Sequence, residues 1–131
     1  MVLRQLSDRL KDESGSSTVE FVIWLPVLIG LFALMVDVTL MFHGKTQVTR
    51  VVQDGTRAYA VGRLTNTDDV ETFIEAAIAP LAPNASATTQ SSGGIVTTTV
   101  RMPARDLLMF GSFTAFTDLT MAVSSQHLLE I

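Results

Sequence analysis

Apolar side chains are concentrated at one end of this chain. Residues 21–42 form a run of 22 in which Asp37 is the only ionisable group. At about 1.5 Å of rise per residue, a helix of that length reaches roughly 33 Å, enough to cross a hydrocarbon core of roughly 30 Å. The pattern predicts a membrane-spanning helix with Trp24 near one interface. Pro26 lacks a backbone donor and frees the Val22 carbonyl, so a kink or partial unwinding is expected there. Glu20 stands at the front edge of the run, where a carboxylate meeting lipid is costly unless a group outside the chain neutralises it. Asp37, five residues from the far end, has two readings: a carboxylate reaching interfacial water, or a polar contact to a neighbouring membrane helix.

Past Gly44 the period stays helical but the face changes. Val48, Val51, Val52, Gly55, Tyr59 and Gly62 recur on one side, with Arg50, Gln53, Asp54 and Arg57 on the other. One helix over about 18–62 is therefore predicted, its second half packing on a soluble domain. Gly55 and Gly62 each weaken it by about 1 kcal/mol relative to Ala, which points to close packing at both. After a turn at 64–67, Asp68 and Glu71 have the spacing of a capping box. Val70, Phe73, Ile74, Ala77, Ile78 and Leu81 follow as an amphipathic stripe, giving a second helix over 68–79 that Pro80 and Pro83 end. From Asn84 the chain turns to Thr, Ser, Gly and β-branched residues: ASATTQ, then SSGG, then IVTTTVRM, the pattern of a hairpin with a strand at 95–102. Leu119, Met121 and Val123 alternate with polar or small residues, and the phase continues to Leu129, predicting a third strand over 119–129. Leu107, Leu108, Met109, Phe110, Phe113 and Phe116 form an apolar connection expected to close the core. The fold class is α+β: a long N-terminal helix, a second amphipathic helix and a small three-stranded antiparallel sheet.

Length and charge narrow the organisation. Of 131 residues, those beyond the span suffice for one small domain. Residues 1–15 read as a leader, 16–43 as the membrane helix and 44–131 as the α+β domain. The net charge is −4, with no basic patch of the kind nucleic acid requires. Arg4, Arg9 and Lys11 balance Asp8, Asp12 and Glu13 in the leader. The apolar run is too long for a cleaved secretory signal, and no small-residue site follows it. Basic residues flank the span on both sides, so charge does not orient it. With no cysteine in the chain, disulfides and thiolate metal sites are excluded.

Catalytic patterns are lacking. His43 at the membrane edge and His127 in a predicted strand have no triad or zinc motif around them. Asp68, Asp69, Glu71 and Glu75 lack the EF-hand spacing, and acids in a helix's first turns favour its dipole. Neither an enzyme nor a cofactor or metal site is expected.

Gly15-Ser16-Ser17-Thr18-Val19-Glu20-Phe21, then Pro26, then Val36-Asp37 late in the apolar run resembles the type IV pilin-like proteins, and within them the TadE-like minor pseudopilins of tight-adherence pili. Ser16 differs from the large apolar residue usual there in ordinary type IV pilins. Phe21, where small Flp-type major pilins tend to carry Tyr, and the long C-terminal part favour the minor class. The resemblance implies cleavage by a prepilin peptidase between Gly15 and Ser16, with Glu20 and Phe21 in inter-subunit or peptidase recognition. It implies a single-pass inner-membrane protein, N-terminus cytoplasmic and domain extracytoplasmic. Its implied partners are the bilayer, other pilins or pseudopilins and the assembly platform. The other reading is an uncleaved signal-anchor protein whose extracytoplasmic domain binds a partner.

Overall fold

The computed structural model describes residues 14–112 and 118–130. Most of the predicted leader lies outside them, as do Phe113 and Phe116. In order come helix α1 (Ser14–Ala60), helix α2 (Thr67–Ile78), strands β1 (Ser86–Ser92) and β2 (Ile95–Pro103), a 3₁₀ turn (Ala104–Asp106) and strand β3 (Thr120–Leu128). The predicted elements are present within a few residues at each end.

α1 has 47 residues and is helical straight through Pro26. The expected partial unwinding is not found, because proline removes one bond from a long ladder whose other bonds persist. Its end is set by Gly62, which has φ +76°. Arg63 N donates to the Ala58 carbonyl at 2.8 Å and Gly62 N to that of Tyr59 at 3.0 Å, the bonding pattern of a Schellman cap. The packing role expected of Gly62 is therefore corrected: a Cβ there would meet nothing within 4 Å, whereas at Gly55 it would lie 2.7 Å from Ile74 Cγ1. Gly62 is needed for its backbone angle and Gly55 for its lack of a side chain.

The Asp68–Glu71 capping box is also not formed. α2 begins one residue earlier, with Asn66 at the N-cap and no side-chain capping bond. Glu71 instead accepts from Thr89 N at 2.6 Å, and Glu75 from Ala87 N at 2.8 Å. Two carboxylates one turn apart thus close the outward donors of β1, an edge strand. Val70, Ile74 and Ile78 are the buried stripe of α2, while Phe73 and Ala77 face solvent.

The sheet is antiparallel, in the order β1-β2-β3. Gly93 and Gly94 have φ +59° and +79°, the two positive angles of the I′ turn that matches strand twist, so the turn is only the two glycines of SSGG. Val96, Thr98, Val100 and Met102 of β2 point inward, opposite Met121 and Val123 of β3. Val100, Met102 and Val123 form the core with Val48, Val52, Val70, Ile74, Ile78, Ala87 and Leu107, and Met121 packs against it. Thr56 is buried with them and satisfies its hydroxyl by donating to the Val52 carbonyl at 2.6 Å.

The chain divides into two compact units, the first ending at Ala33 and the second running Leu34–Ile131. In the first, residues 15–32 are exposed all round the helix. In the second, α1 turns one face to the sheet and α2.

Candidate functional site

Gly15, Ser16, Glu20 and Phe21 lie in the first two turns of α1, all exposed. A Cβ built on Gly15 meets no atom within 4 Å. Glu20 has no hydrogen-bond or ionic partner among the described residues. Pro26 lies within the exposed apolar stretch that follows. Val22, Ile23, Trp24, Val27, Ile29 and Phe32 are each more than half exposed. An 18-residue window of this helix has a mean hydropathy of 2.4 and is not buried at all. Among the described residues this is the one helix long and apolar enough to cross a membrane, and its exposure distinguishes it from the core helix of a soluble fold.

Asp37 is different. Its side chain is 2 % exposed, and the groups that enclose it come from 72 to 75 residues further along the chain. Oδ1 accepts from Met109 N at 3.1 Å and Phe110 N at 2.9 Å; Oδ2 accepts from Ser112 N and Ser112 Oγ, each at 3.0 Å. Two turns along the same face of α1, Gly44 makes room for Leu107, whose Cδ2 would stand 2.6 Å from a Cβ at that position. Gly44 and Asp37 are thus two fixing points for the segment 107–112. Leu107 is buried, whereas Met109 and Phe110 are 69 % and 58 % exposed. The expectation that this connection closes the core holds for Leu107 and is corrected for Met109 and Phe110: the bonds to Asp37 hold their backbone against α1 and leave their side chains outside. Neither reading of Asp37 from the sequence, interfacial water or a neighbouring membrane helix, named this segment as its partner. The one hint was an acid in an apolar run on the same helical face as Gly44, with a second apolar run, LLMF, later in the chain.

His43 contacts Gln47 Nε2 at 2.8 Å, one turn on. His127 lies half-buried on β3. The two do not meet in one site. A surface groove of about 800 Å³ opens between the end of α1 and α2, lined by Asp54, Arg57, Val61, Leu64 and Phe73, none of them singled out for chemistry. Asn84, head of an Asn-Ala-Ser triplet, is engaged by its backbone N and Nδ2 with the Asp106 carboxylate at 3.0 and 3.1 Å.

Residues 15–57 match the family model described as TadE-like protein. Over this segment, a third of its length, the chain is similar to that family. The match begins at the predicted cleavage glycine and ends three residues before the end of α1. It is thus a match to the helix and includes Glu20, Pro26, Asp37 and Gly44. The domain that follows lies outside it. No curated protein and no solved structure matches the chain. A TadE-like segment on an exposed helix of this length and hydropathy gives the protein the character of a single-pass membrane protein.

Proposed function

We propose that this protein is a minor pseudopilin of a tight-adherence pilus, anchored in the inner membrane by the first part of α1 and acting in pilus assembly. The N-terminus is cytoplasmic and the α+β domain extracytoplasmic. A prepilin peptidase cleaves after Gly15, making Ser16 the new N-terminus and Glu20 the fifth residue. The observation that carries the reading is the TadE-like match, which starts at Gly15 and covers a helix whose first turns are exposed. Glu20 is then available for a cationic group of another subunit, most simply a neighbouring new amino terminus. Attraction between the two in low dielectric offsets the cost of bringing both charges to the lipid edge.

Mature mass is the test. Protein extracted from membranes is expected to lack residues 1–15, and Gly15→Leu to retain them. A Cβ at Gly15 meets no atom within 4 Å among the described residues, so failure of the variant to be cleaved would report an outside enzyme's requirement and not a folding defect. Full-length wild-type protein in the membrane would overturn the pseudopilin assignment in favour of an uncleaved signal anchor.

A further inference from the structure

Resting on the reading of α1 as a membrane span, we propose that Met109 and Phe110 form a second lipid contact, a short loop seated in the headgroup–acyl boundary and held at that depth by Asp37. Leu107 packs at Gly44, and the backbone of 109–112 bonds to Asp37, seven residues nearer the N-terminus of α1. The segment therefore descends about 10 Å along the helix toward the apolar run. Asp37 lies five residues inside the end of that run at Phe42, which places the loop roughly 7 Å within it. Residues 107–112, LLMFGS, contain no charge.

Lipid supplies no acceptors, so each backbone donor satisfied within the chain lowers the cost of placing a loop in that zone. Asp37 satisfies three of them, at Met109, Phe110 and Ser112. In return the three amides and the Ser112 hydroxyl replace the water that an intramembrane carboxylate would otherwise lack. This reciprocity accounts for an acid inside an apolar run without a neighbouring helix. It also accounts for two large apolar side chains being fixed outward: the side chains left uncovered are those that lipid would cover. The bilayer is the fitting occupant because the loop continues a surface already apolar and exposed at this level of α1, where Met35 is 58 % and Phe42 67 % exposed.

The chain has no cysteine, so single-cysteine variants can be spin-labelled without a background. Full-length protein in phosphatidylcholine/phosphatidylglycerol vesicles is labelled at Phe110→Cys, at Met109→Cys, at Ile29→Cys within the apolar run and at Thr88→Cys on the outer face of the sheet. Labels at 109 and 110 are expected to collide more with oxygen than with a water-soluble nickel chelate. Their depth should lie between those at 29 and 88, and Asp37→Ala should move the 110 label toward water. Nickel accessibility at 109 and 110 equal to that at 88, with 29 still in lipid, would overturn the loop contact and leave the span intact. Water accessibility at 29 as well would overturn the span itself. Protection at 109 and 110 from both reagents would overturn the lipid contact in favour of a protein partner. The wild-type-background labels replace exposed side chains, so the decision does not depend on the folding of the Asp37 variant.

Discussion

Glu20 and Asp37 are carboxylates on one apolar helix, and they differ in where their bonding capacity goes. Asp37 accepts four hydrogen bonds from its own chain. Glu20 accepts none among the described residues, and the proposed function gives it a partner on another subunit. Glu20→Ala is accordingly expected to leave membrane levels unchanged or raised, because removing a carboxylate from the lipid edge lowers the transfer cost. Crosslinking to pilus components should fall about tenfold, because a partner charge would be left unpaired in the assembled state. Equal crosslinking and normal pili in the variant would remove the inter-subunit role. The glycines divide in a similar way. Gly62 adopts a positive φ, whereas Gly44 and Gly55 admit Leu107 and Ile74. The sequence marked Gly55 and Gly62 alike as helix-weakening, since composition does not distinguish a need for backbone angle from a need for space.

At the scale of elements, the sheet is finished differently at its two edges. The β1 edge is closed by Glu71 and Glu75 of α2, which accept from Thr89 N and Ala87 N. Along the nine residues of β3, no described side chain does the same. Carboxylates on an edge strand's free donors stabilise it and deny the edge to other chains. The double variant Glu71→Ala/Glu75→Ala is expected to leave the fold intact and to speed amide exchange at Ala87 and Thr89 at least several-fold, with little change at Val96 and Val100 in the central strand. Unchanged exchange at 87 and 89 would show that the carboxylates do not protect those donors. The hairpin, by contrast, was legible residue by residue. Gly93-Gly94 between two β-branched runs permits few turns, and the I′ geometry follows from strand twist. The capping-box spacing of Asp68 and Glu71 misled because the same carboxylate had a competing use: a donor on β1, 18 residues away in sequence, took Glu71.

For the molecule as a whole, the second compact unit begins at Leu34, within the apolar run and ahead of the 44–131 domain expected from the sequence. A fragment covering 34–131 is expected to fold with the 107–112 segment in place. One covering 45–131, lacking Asp37, Met41 and Gly44, should melt several degrees lower, at about 4–8 °C per kcal/mol for a domain of this size. It should also lose amide protection at Phe110 and Ser112, and equal melting of the two fragments would place the stabilising contacts elsewhere. Much of this protein follows from sequence alone. A 22-residue run with one charge has few homes besides a membrane, and helical and strand periods report local geometry that each segment sets by itself. The Gly15-to-Glu20 spacing is likewise visible in the sequence, in residues that the fold leaves exposed, and the proposed cleavage and pairing start from it. Tertiary structure alone decided what Asp37, Gly44, Glu71 and Glu75 do. Each answers to a group that comes close only when the chain closes on itself, and a carboxylate's preference for any available donor gives no sign of which one will arrive.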